Sequence, residues 1–453
     1  MNQQLWQAVE GFDLDSPAGE YPFSVRLANE NYWTKAFTDS AILEYKKFMY
    51  LAATSGMLVS PSGVVDSVWH QHLIFTQSYQ QFCALLGKQV QHIPSTQNKD
   101  EFQKFKSAKE QTAKLYTEEF GPQPPEIWEA ETMFDSLHLK KAKIKLRSFV
   151  IIGLLLIAGM MVPAYYLLKP LYVHIDNPGF LIGLGCLSAM IFSGLYIYNG
   201  SRLATIITEF NKNTFAFHLH ALELIYLRMR KLSHVVNGVV NVLVDNGTII
   251  VNKNKTVELS GNTKTFSREQ QQVVAVLAEF GRMPYPILLK TVAQKPVFQN
   301  ISNSMVAFQK YVNKSAKFGW LFYTNFITLG MLLICSYTRL VTGVMRNKPT
   351  DYIAFICLVL TVGMALFLIQ LTTQLCRRTL PNLYEHEILP ARVVKGDLQW
   401  NYFLSGQAAV TSSFVPLAGY VDRNSTGSGC GSSCGSSCGN SCGSSCGGCG
   451  GGD

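Results

Sequence analysis

Four uncharged apolar runs, residues 148–168, 179–198, 318–338 and 352–374, constrain this 453-residue chain more than any other feature. A helix needs about 20 apolar residues to cross the hydrocarbon core of a bilayer, and uncharged runs of that length are rare inside soluble folds. The runs therefore read as two transmembrane hairpins, 148–198 and 318–374. Composition agrees, since 48% of residues are hydrophobic and only 15% charged, too few charges for an ordinary soluble chain of this size. No Asp, Glu, Lys, Arg or His lies within any span, whereas transporters and proton pumps usually carry ionisable groups at depth. The spans read as an anchor, with a transporter component as the weaker alternative. Gly185, Ala189 and Ser193 make a smooth stripe on the second span, suited to close helix packing within the bundle or in a homo-oligomer. Asn325 is the only strongly polar side chain near the middle of a span.

Basic residues orient the spans. "KKAKIKLR" at 140–147 precedes the first, Lys314 and Lys317 precede the third, and Arg377 and Arg378 follow the fourth. Alternating spans place all three groups on one side, which the positive-inside bias makes cytoplasmic. Arg339, Arg346 and Lys348 in the loop between spans three and four dissent. The opening "MNQQLWQAVEGFDLDSPAGE" lacks the basic start and apolar run of a secretory signal. The expectation is a multi-pass protein of the cell inner membrane with both termini in the cytoplasm.

The fold class that follows is mainly α. A helical N-terminal domain (1–139) precedes the first hairpin, and a small α+β domain (200–317) lies between the second and third spans. A short cytoplasmic segment (379–423) then leads to a disordered Gly/Ser/Cys tail (424–453) that cannot bury a core.

Within the N-terminal domain, "VVDSVWHQHLIFTQSYQQFC" at 64–83 places an acid, two histidines, a tryptophan, a tyrosine and a cysteine on one amphipathic helix. That helix is expected over 60–86, opened by a serine cap with proline in its first turn and stopped by Gly87. At about 100° per residue Asp66 and His70 share a face, while His72, Thr76, Tyr79 and Cys83 fall on another stripe. His70 and His72, two apart, diverge, so a metal must recruit a residue from elsewhere. His92 is the candidate, beside Asp66 and His70; a second grouping sets His92 with His72 and Cys83. Asp, His and Cys are ligands for zinc or another transition metal. The alternative is that these polar groups satisfy one another while Trp69, Leu73 and Phe82 pack the core.

The segments "YKKFMYLAATSG", "VDSVWHQHLIFTQSYQQFC", "LGKQVQHIP" and "LYTEEFGPQPPEIW" resemble, in order and spacing, the conserved region of the glycine-rich domain-containing proteins of plants and bacteria. The resemblance runs over roughly 23–128. In that family the positions matching Asp66, Trp69, His70, His72, Tyr79 and His92 recur, which implies that they matter without naming a reaction.

In the middle region, helices are expected over 215–230 and over 233–247, the second with a serine cap and a glycine stop. A hairpin of strands 248–251 and 256–259 around "NKNK" should follow, then a helix opened by a capping box of Ser267 and Gln270 and ended at Gly281. This order is winged-helix-like. The second helix carries no Lys or Arg, so a protein partner, or packing alone, is expected rather than nucleic acid. "ALELIYLR", "VVNVLVDNGTIIV", "SREQQQVVAVL" and the tail resemble a bacterial family of uncharacterised membrane proteins ending in Cys-Gly repeats, from about residue 145 onward. "RMRKLS" stands where that family usually has Gly-Gly.

The tail repeats cysteine every four residues, Cys430, Cys434, Cys438, Cys442 and Cys446, with Cys449 three further on. In a reducing cytoplasm these thiols could wrap zinc or copper(I), could be modified, or could belong to a plain linker. The function expected is a membrane-tethered binding or scaffold protein. The alternative is a metal-dependent enzyme using the Asp/His cluster, acting with the tail. No nucleophile-base pair, phosphate loop or cofactor fingerprint is present in the sequence.

Overall fold

The structure, a computed structural model, describes residues 2–16, 19–92, 99–261, 266–391 and 397–417. It is mainly helical with one small three-stranded sheet. The N-terminal part consists of α1 (Gln3–Gly11), α2 (Phe23–Asn31), α3 (Lys35–Thr54), α4 (Gly63–Ile74), α5 (Thr76–Leu86), α6 (Lys99–Phe120) and a short α7 (Pro125–Trp128). Helix α3 is its axis and buries Tyr45, Phe48 and Met49. One polar group ties the core together. The buried Glu44 carboxylate accepts from Tyr116 Oη and Trp128 Nε1, both at 2.7 Å, and from Lys47 Nζ at 2.7 Å, which fastens α3 to α6 and α7.

The expected single helix over 60–86 is in fact two. Ser62 is the cap, accepting from Val65 N, so Pro61 precedes the cap instead of lying in the first turn. The chain then breaks at Phe75 (φ −87°, ψ 64°) and restarts as α5, which ends at Gly87 in the left-handed region (φ 70°). Tertiary contacts favour the break: the Phe75 ring packs edge-on against Phe23, and the turn brings the His72 and Tyr79 rings to 5.2 Å. On a straight helix, seven residues separate two side chains by about 10 Å along the axis.

Each apolar run forms a helix: α8 (Leu146–His174), α9 (Asn177–Thr208), later α15 (Ala316–Met345) and α16 (Asp351–Gln374), all long and apolar enough to cross a membrane. Helix α15 is the centre of this bundle. Over its most apolar window 56% of residues are buried, against 6%, 17% and 22% in the other three. Just before α8 and α15 the two chain segments pair, with Ala142 N donating to Lys314 O at 2.8 Å and Ala316 N to Lys140 O at 2.7 Å. Arg378, beyond the end of α16, donates to Tyr196 Oη of α9 at 3.2 Å. The three basic groups that flank the spans thus gather at one end of the bundle.

Between α9 and α15 lie α10 (Ala221–Met229), α11 (Leu232–Asp245), β1 (Ile249–Val251), β2 (Thr256–Leu259), α12 (Arg268–Phe280), β3 (Met283–Pro284), α13 (Tyr285–Ala293) and α14 (Pro296–Asn313). The strands run antiparallel in the order β1-β2-β3, with Ile249 opposite Leu259 and Val257 opposite Met283. The capping box of Ser267 and Gln270 opens α12, and Gly281 (φ 67°) ends it. Three expectations need correction. Residues 215–217 form a separate tight turn, and α10 begins only after His220, whose capping box with Glu223 starts it. Ser233 lies inside α11, which starts at Leu232 without a side-chain cap. The wing gains a third strand, β3, which local pattern does not announce because it is two residues long and contains a proline.

Past α16 the helix continues through π-helical turns (Leu375–Thr379 and Tyr384–Ile388) interleaved with α17 (Leu380–Leu383) and α18 (Leu389–Ala391), followed by α19 (Leu398–Ser405). This segment packs on the middle region. Tyr384 Oη donates to Ala216 O at 3.0 Å and accepts from Leu219 N at 2.7 Å, and α19 packs on α10 and α11. The N-terminal part also docks on the middle one. Helix α2 packs on α14, Asn300 Nδ2 donates to Trp33 O at 3.2 Å, and Lys35 Nζ lies 3.2 Å from Glu269.

Candidate metal centre

Asp66 and His70 sit one turn apart on α4, and the Asp66 carboxylate lies 3.5 Å from His70 Nδ1. His92 comes from the chain that returns after Gly87. That return is pinned from inside: Trp69 Nε1 donates to Tyr79 Oη at 3.1 Å, and Tyr79 Oη donates in turn to the carbonyl of Val90. Two residues on, His92 Nε2 stands 3.0 Å from Asp66 Oδ1, its ring edge-on to Trp69 at 4.6 Å and 4.4 Å from the His70 ring. Among the described residues this is the one group of three or more His, Cys, Asp or Glu whose ligand atoms converge, all within 4.8 Å of one another.

The spacing suits a small divalent cation. Bonds of about 2.0–2.1 Å in a tetrahedron put ligand atoms about 3.3 Å apart, so the three groups, which converge to within 4.8 Å, need only small side-chain adjustments to close on one ion. The donors, one carboxylate and two imidazoles, are a common transition-metal set and leave further coordination positions to solvent or substrate. Access is graded. The His70 side chain is 56% exposed, Asp66 34% and His92 17%, so one imidazole reaches solvent while the other is wedged against the core.

The grouping of His72 and Cys83 with His92 does not form. His72 points to the opposite side of α4, fully buried, its Nδ1 2.8 Å from Tyr45 Oη and its Nε2 3.1 Å from Ser78 Oγ. Phe23, Tyr45, Tyr79 and Phe82 surround the ring. Burial pushes the imidazole down to about 4, so it is neutral at pH 7, with the Ser78 contact acting in the other direction. Cys83 is a buried free thiol in the same core. Thus the 64–83 stretch divides: one face presents Asp66 and His70 to His92, the other is a satisfied interior. Tyr45 and Ser78, which hold His72, went unnoticed in the sequence, because nothing local distinguishes a tyrosine 27 positions away. Cys430, Cys434, Cys438, Cys442, Cys446 and Cys449 lie outside the described residues.

The family model that matches this chain is described as UCP032817-like and covers residues 29–119, about a fifth of the length but the whole of the Asp66–His70–His92 cluster. No curated protein and no solved structure matches.

Proposed function

We propose that this is a multi-pass protein of the cell inner membrane that holds a metal-binding N-terminal domain and a protein-binding middle module at the cytoplasmic face. The convergence of Asp66, His70 and His92 from two separate segments carries the reading. The gathering of Lys140–Arg147, Lys314, Lys317 and Arg378 at one end of the bundle supports a cytoplasmic assignment for that end. Zinc or another first-row transition metal fits the donors. When bound, it would supply Lewis acidity at the open positions, with His92 and Asp66 as the fixed ligands and His70 as the exposed one. The tether itself acts as a scaffold, bringing the domain, its metal and the thiol-rich tail to the membrane surface.

A second reading, a metal-dependent enzyme, is favoured by one observation. Three protein ligands leave a position for water, as catalytic rather than structural zinc sites do.

Elemental analysis of the detergent-purified full chain tests the site, using protein without a histidine tag and with the six tail cysteines changed to serine. About one equivalent of metal is expected, falling to a small fraction in His70→Ala and His92→Ala, since a catalytic-type site loses most of its affinity with one ligand. Metal-free protein with an intact fold, or metal retained in both variants, overturns the reading. Hydrolytic activity that tracks metal occupancy would favour the enzyme over the scaffold.

A further inference from the structure

Where α16 leaves the apolar bundle it enters the π-helical turn Leu375–Thr379, and beside that turn is an open cavity of about 800 Å³. Its lining is graded along the helix. Leu366 and Ile369, each 62% exposed, form the apolar end. Gln370, Thr373 and Gln374 supply amides and a hydroxyl in the middle, and Arg377, Arg378 and Asn382 stand at the polar end. At 1.5 Å per residue, Leu366 and Arg378 are about 18 Å apart along the axis, enough to run from acyl chains into the headgroup layer. The middle module roofs the cavity through Arg228, whose charge is already used, by Glu385 and by the Phe403 carbonyl at 3.0 Å.

Among the described residues no Asp or Glu lines this cavity, and neither Arg377 nor Arg378 makes an ion pair. Arg378 makes one neutral contact, to Tyr196 Oη. Two exposed, unneutralised guanidinium groups above an apolar wall that faces lipid call for a ligand that is anionic at one end and aliphatic at the other. We propose that this cavity binds the headgroup of one anionic phospholipid, its phosphate between Arg377 and Arg378 and an acyl chain along Leu366 and Ile369. Guanidinium forks match phosphate oxygens bidentately, and basic pockets beside spanning helices are suited to such headgroups. A free phosphate would use the arginines alone and leave the apolar half without purpose. Because the roof comes from the middle module, the bound lipid bridges bundle and module.

The full chain is reconstituted in nanodiscs of phosphatidylcholine, with or without phosphatidylglycerol, then released gently and analysed by native mass spectrometry. The wild type is expected to retain one phosphatidylglycerol per chain and no phosphatidylcholine. Arg377→Gln/Arg378→Gln should bind the anionic lipid about tenfold more weakly or worse, the loss expected for charged hydrogen bonds. Arg377→Lys/Arg378→Lys should recover part of it, and Arg346→Gln/Lys348→Gln, at the other end of the bundle, should leave it unchanged. Circular dichroism of each variant guards against misfolding. Equal retention by wild type and Arg377→Gln/Arg378→Gln, equal retention of both lipids, or equal loss in the Arg346→Gln/Lys348→Gln control overturns the proposal. Displacement of the lipid by millimolar inorganic phosphate would identify a phosphate site instead.

Discussion

His70 and His72 stand two positions apart and meet opposite fates. Two helical steps turn a side chain by about 200°, so one imidazole faces the exposed side of α4 and the other the core. For His72 the consequence is a pH dependence. The folded imidazole binds its proton only near pH 4, because burial disfavours the charged form, whereas the unfolded chain takes it up near 6.5. Between those values the unfolded state holds more protons, so stability falls as pH drops from about 6.5 toward 4, by up to about 3 kcal/mol in total. Thermal midpoints followed through tryptophan fluorescence should show that slope, and His72→Gln should flatten it while lowering the plateau at pH 7. A slope unchanged by the substitution would assign the titration to another group. Tyr45→Phe should cost about 1–3 kcal/mol at neutral pH, since it leaves His72 Nδ1 buried without its partner. Chemical denaturation at pH 7 would register the loss. The divergence of the two histidines was readable from their spacing; the partners that make one of them structural were not, because Tyr45 belongs to another helix.

Single polar contacts also decide how the elements meet. Asn325, noticed as the lone polar side chain near the middle of its span, pairs with Asn199 of α9 in a reciprocal amide contact, at 2.9 and 2.7 Å. Both are fully buried. Asn199 escaped attention because it lies one residue beyond the expected second span, whose helix in fact runs to Thr208. Asn325→Leu should weaken the α9–α15 contact by about 1 kcal/mol, in line with interhelical hydrogen bonds in membranes. Asn199→Leu/Asn325→Leu should lose less than the sum of the two single changes, since neither amide is then stranded; unfolding in mixed micelles gives the comparison. Arg339, which dissented from the charge bias, has a structural task. It donates to the carbonyls of Tyr172 and Ile175, the latter at 2.9 Å, and to Asn177 Oδ1 at 2.8 Å, closing the turn between α8 and α9. A charge held in this way says little about orientation.

The whole molecule is joined by charge as well as by packing. Lys35, at the start of α3, donates its backbone N–H to Glu223 of α10 at 3.1 Å and its ammonium to Glu269 of α12 at 3.2 Å. Arg268 reaches Asp15 at 2.7 Å and Lys295 reaches Glu20 at 2.9 Å. Burial tends to raise the Glu269 pKa, but Lys35 and nearby hydrogen bonds hold it below the ordinary carboxylate value. Glu223, also buried, is pushed above it. Glu269→Gln should loosen the seam between the N-terminal and middle parts by about 1–2 kcal/mol, a buried-pair penalty reduced because Lys35 is 32% exposed. Hydrogen exchange should show faster amides along α2 and α14, with the bundle unaffected; uniform destabilisation would place the role of Glu269 elsewhere.

Local pattern was sufficient for the spans, for the capping box and glycine stop of α12 and for the shared face of Asp66 and His70, because each depends on residues within a few turns of one another. The approach of His92 to Asp66 was inferred as a possibility of chain reversal, and only the Trp69–Tyr79–Val90 relay gives it a physical cause. The break at Phe75, the strand Met283–Pro284, the docking of 384–417 on the middle helices and the Lys35–Glu269 seam belong to tertiary structure. Their partners are separated by tens to hundreds of residues, and hydropathy periodicity holds no information over that distance. The amino-acid sequence alone determined four helices long and apolar enough to cross a membrane and a candidate ligand face; the packing of distant segments decided which polar side chains converge on that face and which are sealed in the core.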